Sequence, residues 1–231
     1  MKLERILAVV LLLASSVHAR AEVRQSTPDG FFVAISTPIA ASPTKTYAAL
    51  TAVAAWWSDA HTWSGSAANL SLKAEAGGCF CERWKDGSAE QGRVILALPG
   101  RLLRLQTALG PLQELALSGV LSVWVRSEDD GSTRLDVEYR VNGTAESGLD
   151  VTAPAVDDML GTQVARLKRY VETGSADVPA SPAKQASPQG DAARAAILEQ
   201  WKQAAEAERA KTKAPASKSA PAKKSGSAGG P

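Results

Sequence analysis

Hydrophobic and polar residues alternate with period two along much of residues 79–141, and this pattern predicts a series of β-strands. The first clear run has on one face Leu115, Leu117, Gly119, Leu121, Val123 and Val125. The second has on one face Leu135, Val137, Tyr139 and Val141, with Arg134, Asp136, Glu138 and Arg140 opposite. Strands with one apolar face are typical of an antiparallel sheet that has one solvated side.

Turn chemistry divides this region into predicted strands at 79–84, 91–98, 101–107, 115–126 and 133–141. The breaks between them are Asp86-Gly87, Pro99-Gly100, Gly110-Pro111 and Asp129-Asp130-Gly131, and each is a typical turn sequence. Before this region, residues 31–37 predict a first strand that ends at Pro38. Leu70 and Leu72 mark a brief strand.

Helical patterns precede and follow the strands. Ser42 is predicted to cap a short helix that has Pro43 at its first position. A long helix is predicted over residues 151–172, where apolar residues recur at spacings of three and four. They are Val156, Met159, Leu160, Val164, Leu167 and Val171. Acidic residues lie in its first half and basic ones in its last, as the helix dipole favours, and Gly174 is predicted to end it.

The beginning of the chain has the three-part layout of a secretory signal. Lys2 and Arg5 precede an apolar run over residues 6–14, and small residues allow cleavage near Ala19 or Ala21. The run is shorter than the roughly 20 apolar residues that span a bilayer. We therefore expect residues 1–21 to be removed and the protein to be periplasmic or secreted, without a stable membrane anchor.

The composition changes again after residue 174. Residues 25–174 are predicted to form one folded domain, whereas Ala, Pro, Ser and Lys dominate 175–231, which predicts a disordered tail. Residues 191–211 could form a lone helix in it. The formal net charge of +2 divides into an acidic domain and a basic tail. The domain therefore lacks the basic surface that nucleic acid requires, while the tail can contact an anionic surface weakly or act as a solubilising segment.

Cys79 and Cys81 are the only cysteines of the chain. Side chains at i and i+2 of a strand share a face, with Cα atoms near the upper end of the bridging distance. An intrachain bond would pucker the strand, and an intermolecular bond or two thiols are equally compatible with the pattern. His18 and His61 are the only histidines. A zinc site needs more ligands than this, so we expect neither a metal nor a cofactor.

The order of the elements resembles the START-like or SRPBCC superfamily, the helix-grip proteins, and within it the branch of Hsp90-ATPase-activator homologues and polyketide cyclases. The resemblance covers roughly residues 30–172. The matching segments are residues 41–50, Trp56-Trp57-Ser58, Gly77-Gly78-Cys79-Phe80, Gly92-Arg93-Val94, Pro99-Gly100-Arg101-Leu102-Leu103 and Gly131-Ser132-Thr133-Arg134-Leu135.

This resemblance implies an α+β helix-grip fold. A curved antiparallel sheet of about six to seven strands would wrap around the long C-terminal helix, with two short helices after the first strand. It also implies a cavity between sheet and helix that holds lipids, sterols, polyketides or other apolar molecules. The residues that we expect to line it are Trp57, Trp63, Phe80, Glu82, Trp84, Leu121, Val123, Val137, Tyr139, Met159 and Leu160.

Three residues are candidates for acid–base chemistry. If Phe80 points inward, Glu82 and Trp84 share its side, and a carboxylate in an apolar cavity could act as acid, base or ligand anchor. If the other face points inward, Cys79, Cys81 and Arg83 line the cavity, and Glu82 is a surface residue. His61 lies in a polar loop, and Tyr139 needs a hydrogen-bond partner if it is buried.

The sequence favours an exported binding protein for a small hydrophobic molecule, such as a lipid or a polyketide-like compound, without catalysis. One alternative is an enzyme of the cyclase or aromatase type that uses Glu82, His61 or Tyr139. A second alternative is an interaction scaffold that acts through its basic tail.

Overall fold

Eight antiparallel strands form one curved sheet in residues 21–177, the part of the chain that the computed structural model describes. The strands are β1 Ala21–Thr27, β2 Gly30–Ile39, β3 Leu70–Leu72, β4 Cys79–Trp84, β5 Gly87–Leu98, β6 Leu102–Gln106, β7 Ser118–Ser127 and β8 Thr133–Asn142. The predicted signal segment and the predicted tail with its helix at 191–211 lie almost entirely outside the described residues.

The strand order in the sheet is β1-β2-β8-β7-β6-β5-β4-β3. Strands β3 to β8 are therefore a meander, and the long pairing from Gly30↔Asn142 to Ile39↔Thr133 joins β2 to its last strand. The sheet has eight strands, and not six to seven, because β1 pairs with β2. The sequence of β1 is largely polar and shows no apolar alternation, so the hydrophobic pattern did not predict it.

Helix α1 spans Pro43–Thr51 and helix α2 spans Leu149–Thr173. The Ser42 side chain accepts a hydrogen bond from the Lys45 amide at the start of α1, as predicted. Helix α2 ends at Gly174, whose φ of 81° favours glycine. The second short helix that the resemblance implied is absent from the described residues; 3₁₀ turns at Val53–Ala55, Asp59–His61 and Ala67–Asn69 take its place.

Several strand boundaries differ from those predicted. Strand β5 begins at Gly87 and not at residue 91. Pro38 lies within β2 and does not end it. The pairing of β2 with β1 stops at Ile35, and a proline is tolerated where a strand lies at an edge. Leu115 belongs to the 3₁₀ segment Gly110–Leu115 and is 40% exposed, because the chain enters β7 only at Ser118.

Helix α2 packs its apolar stripe on the inner face of the sheet. Its buried apolar residues are Leu149, Ala153, Val156, Leu160, Val164, Leu167 and Val171. They join one hydrophobic core with the inward residues of β2, β7 and β8, among them Val33, Val123 and Val137. A one-sided sheet needs such a cover to bury its apolar face, so the predicted α+β helix-grip architecture is confirmed.

Asp157 of α2 has a carboxylate oxygen without a hydrogen-bond partner among the described residues. Its Oδ1 atom is buried and has no hydrogen-bond partner among residues 21–177. Loss of solvation, together with the negative charges of Asp158 and Glu22, raises the pKa of this carboxyl from 3.8 to about 6. The folded protein therefore binds this proton more tightly than the unfolded chain does.

Replacing Leu167 by alanine should destabilise the domain by about 2–5 kcal/mol, because the change removes buried methyl groups and leaves a void in the core. Leu167 is 2% exposed. Val151→Ala on the same helix is the matched control, since Val151 is 65% exposed, and it should change the stability by less than about 0.5 kcal/mol. Urea unfolding measures the stability of both variants. Equal losses of stability would mean that α2 does not pack on the sheet through Leu167.

Asp157→Asn should stabilise the protein at about pH 8 and have no effect near pH 3, because a raised native pKa lowers the stability as the pH rises from 3.8 through about 6. The gain should be on the order of 1 kcal/mol, since solvent screens this partly exposed group. Urea unfolding across this pH range measures it. Asp86→Asn, a loss of charge in the exposed turn between β4 and β5, should not reproduce the profile.

Candidate functional site

A partly open apolar cavity lies between the sheet and α2, with a volume of about 50 Å³. Among residues 21–177, Gln163 is the only polar residue that lines it. The others are Leu50, Val53, Trp56, Trp57, Leu72, Phe80, Leu103, Leu105, Leu121, Val123, Val137, Leu160, Val164 and Leu167. The cavity is therefore a hydrophobic space in the centre of the predicted binding region.

Residues 53–69, here named the wall segment, contribute Val53, Trp56 and Trp57 to the lining of this cavity. The ring of Trp57 lies edge-on to Phe80, with the ring centres 5.4 Å apart, and Trp56 contacts Trp57 at 5.5 Å. The Trp56 and Trp57 indoles donate to the carbonyls of Ala49 and His61 at 2.9 Å each. Both aromatic rings can thus face the cavity while their N–H groups are satisfied.

Helix α2 holds the wall segment by side-chain contacts to its backbone. Gln163 Oε1 accepts from the Ser58 amide at 2.9 Å, and Gln163 Nε2 lies 2.6 Å from His61 Nδ1. Arg166 Nε donates to the Trp56 carbonyl at 2.8 Å. The polar group that lines the cavity is therefore already engaged with the wall segment.

Glu82 of β4 holds the same segment from the side of the sheet. Its side chain is fully buried. Oε1 accepts from the Ser64 amide at 2.6 Å, and Oε2 accepts from the Trp63 amide at 3.1 Å and from Gln91 Nε2 at 3.0 Å. Three donors surround the carboxylate, so Glu82 is an anchor for backbone amides and does not face the cavity.

The hydrogen bonds continue from Gln91 across the sheet to Tyr139. The Thr107 hydroxyl donates to the Gln91 carbonyl at 2.5 Å. The Tyr139 hydroxyl donates to the Thr107 carbonyl at 3.2 Å and accepts from the Leu109 amide at 3.1 Å. Burial raises the pKa of Tyr139 far above its ordinary value. Tyr139 therefore stays neutral and holds the chain that follows β6.

The structure brings together only part of the predicted lining. Trp57, Phe80, Leu121, Val123, Val137 and Leu160 line the cavity. Glu82 and Tyr139 are buried behind it, and Trp63 is 39% exposed. Met159 packs at the margin of the core, and the Trp84 ring lies over Gly87 at the turn between β4 and β5. Period two in the strands and spacings of three and four in α2 indicate the side on which a residue lies, but neither carries information on depth.

Strand β4 turns Phe80 and Glu82 inward, which decides between the two faces that the sequence left open. Cys79 and Cys81 lie on the opposite face and are joined by an intrachain disulfide, with Cα atoms 5.3 Å apart. The intermolecular bond and the two thiols are therefore not what the structure shows. This Cα–Cα distance is shorter than the roughly 6.6 Å between residues i and i+2 of a regular strand, so β4 is puckered as an intrachain bond requires.

Sequence reasoning missed Gln163, Arg166 and Gln91 as site residues. A signal existed for Gln163, because it is a polar residue between Leu160, Val164 and Leu167 on the apolar stripe of α2. Such a residue needs a partner when it is buried, and here the partner is the wall segment. Gln91 had no comparable signal, since its inward position depends on the register shift in β5.

Comparison with known proteins supports the fold. No protein-family model matches the chain, and no curated protein matches it in sequence. The structure aligns with the conserved protein of unknown function EF2215 from Enterococcus faecalis over 78% of this chain and 91% of that chain, with a TM-score of 0.50 and 14% identity. Likeness at this identity shows the fold alone.

Two further solved structures are more distant in shape. CalU16 from Micromonospora echinospora aligns over 76% of this chain and 92% of its own, with a TM-score of 0.41 and 12% identity. DynU16, from the dynemicin biosynthetic locus, aligns over 62% of this chain and 48% of its own, with a TM-score of 0.41 and 21% identity. The fold of this chain is the helix-grip fold.

Glu82→Gln should destabilise the domain by about 2–4 kcal/mol, because either orientation of the amide turns an NH₂ group toward a buried N–H donor. Glu90→Gln in β5 is the control, since Glu90 forms an exposed ion pair with Arg93 and should lose less than about 1 kcal/mol. Urea unfolding followed by tryptophan fluorescence measures both. A Glu82→Gln protein with unchanged stability would contradict the anchoring role of Glu82.

Proposed function

We propose that the protein binds a small hydrophobic molecule in the cavity between the sheet and α2, and that it acts as a binding protein without catalysis. The observation that carries this proposal is an apolar cavity whose one polar lining residue among the described residues, Gln163, is already bonded to the wall segment. Apolar shape, rather than polar contacts, would select the ligand.

In this conformation the cavity is small for this role. At about 50 Å³ it is well below the roughly 300–1,000 Å³ of typical ligand sites and below the roughly 150 Å³ that holds benzene. A lipid or polyketide-like ligand therefore requires one wall to move. We propose that residues 53–69 are that wall, because they form only 3₁₀ turns and can shift without breaking the sheet or α2.

The placement of the acid–base candidates favours binding over a cyclase or aromatase reaction. Glu82 and Tyr139 do not line the cavity, and their oxygens already accept hydrogen bonds from backbone amides. His61 lies outside the lining, with Nδ1 beside Gln163. A general acid or base must reach its substrate within hydrogen-bond distance, and none of the three faces the space that a substrate would enter.

The remaining expectations stay proposals. The order of the elements and the matching segments support a place in the polyketide-cyclase-like branch. Export to the periplasm after cleavage near Ala19 or Ala21 would suit a carrier of poorly soluble molecules. The basic tail, as an interaction segment or a contact with an anionic surface, lies outside the described residues apart from its first few positions.

Organic-solvent extraction of the purified protein, followed by mass spectrometry, tests the proposal directly. We expect an apolar molecule near one equivalent per chain, or saturable binding of a fluorescent fatty acid that quenches or shifts the emission of the tryptophans at the wall. The proposal would be overturned if no apolar molecule is extracted and if neither fatty acids of several lengths nor a polycyclic aromatic probe bind saturably.

Val123→Phe should weaken binding of the fluorescent fatty acid about tenfold or more, because the larger side chain fills the cavity. Ile95→Phe is the matched control, since Ile95 is 45% exposed in β5, and it should bind like the unchanged protein. Circular dichroism shows whether each variant keeps its fold. If a folded Val123→Phe protein binds normally, the ligand lies elsewhere.

A further inference from the structure

The Cys79–Cys81 disulfide encloses a single residue, Phe80, within β4. It lies on the outer face of the sheet, away from the cavity. We propose that this disulfide is a redox site that exchanges with thiols, and that its substrates are dithiols, either small molecules or cysteine pairs of unfolded peptides. The inference does not rest on the proposed binding of an apolar ligand.

The bridge is poorly suited to a structural role. A disulfide stabilises a fold mainly by restricting the unfolded chain, and the effect grows with the length of the closed loop. A bridge between residues i and i+2 closes a very short loop. Strand β4 is also already paired with β3 on one side and β5 on the other, so the bond adds no connection between elements.

The two sulfurs differ in exposure, as an exchange site requires. Cys79 is partly exposed, whereas Cys81 is only 7% exposed. An incoming thiolate needs access to one sulfur of the bond, and the other sulfur is the leaving group. The geometry therefore makes Cys79 the sulfur that is attacked and Cys81 the sulfur that leaves.

Arg93 places a positive charge beside Cys79. The two residues are direct partners in the β4–β5 register, so their side chains share the outer face. The guanidinium is fixed there by its bond to the Gly77 carbonyl at 3.1 Å and by its ion pair with Glu90 at 2.6 Å. A neighbouring arginine stabilises a cysteine thiolate, and Glu90 offsets part of that charge. Arg93 is a positioning residue in this proposal.

The exchange balances in two steps. A substrate thiolate attacks Cys79 Sγ; the Cys79–Cys81 bond breaks, a mixed disulfide forms at Cys79, and the Cys81 thiolate takes a proton from water. The second substrate thiolate then attacks the substrate sulfur of the mixed disulfide, and Cys79 leaves as a thiolate. The substrate dithiol is oxidised to a disulfide, and the protein disulfide is reduced to two thiols.

Equilibration of the full protein in glutathione buffers of graded ratio tests the proposal, with alkylation of thiols and mass spectrometry as the readout. We expect oxidised and reduced forms of the protein to coexist within the range of redox potentials that glutathione buffers cover. The circular dichroism spectrum should not change on reduction. A bond that stays fully oxidised at every ratio, or whose reduction unfolds the protein, would make the bridge structural and overturn the proposal.

Single-cysteine variants test the assignment of roles. In Cys81→Ala, the remaining Cys79 should react with oxidised glutathione about tenfold faster than Cys81 does in Cys79→Ala, because Cys79 is the more exposed residue. Adding Arg93→Gln to Cys81→Ala should slow that reaction about threefold through loss of the neighbouring charge. The double variant Cys79→Ala/Cys81→Ala serves as the folding control. Equal rates for the two single variants would overturn the assignment.

Discussion

The buried carboxylate of Glu82 is the interaction on which the site depends. Burying a charge costs several kcal/mol unless donors replace the lost water, and here the Trp63 and Ser64 amides and the Gln91 side chain replace it. Two of these donors belong to the wall segment and one to β5. A single side chain of β4 thus fixes the wall of the cavity to the sheet, and the cavity exists in this form because the wall stays there.

A local irregularity in β5 makes this anchor possible. Phe80 pairs with Gly92 and Cys81 with Glu90, so Gln91 is the extra residue of a β-bulge. Bulges redirect side chains, and Gln91 is directed inward to meet Glu82, while its carbonyl accepts from Thr107. Through Thr107 the network reaches Tyr139 of β8. Because every member has a partner, the network can rigidify this part of the core.

The sequence predicted the parts of this protein that have a regular period. The meander, β3 and α2 follow from alternation and from spacings of three and four, and Gly174 ends α2 as predicted. Strand β1 was missed because its sequence is largely polar; pairing with β2 and packing of Val23 against the core hold it. The inward face of β4 was left open because Phe80 and Cys81 are both suited to burial. Met159 lies only at the margin of the core although it belongs to the apolar stripe of α2, since a repeat gives a direction and only the packing of neighbouring elements sets the depth.

If the protein binds a ligand as proposed, the polar contacts of the wall segment also set a minimum size for it. Helix α2 holds the segment near Trp56, Ser58 and His61 through Gln163 and Arg166, while Glu82 holds Trp63 and Ser64. If the side toward α2 opens and Glu82 keeps its contacts, about three hydrogen bonds are lost, at a net cost of roughly 2–5 kcal/mol. Burial of apolar surface contributes about 25 cal/mol per Å², so roughly 80–200 Å² of ligand surface is needed to offset that cost. A molecule small enough for the closed cavity would not open it, whereas one that buries more surface than this would. The apolar surface of the ligand would therefore be a first criterion of selection, because it decides whether the wall segment opens.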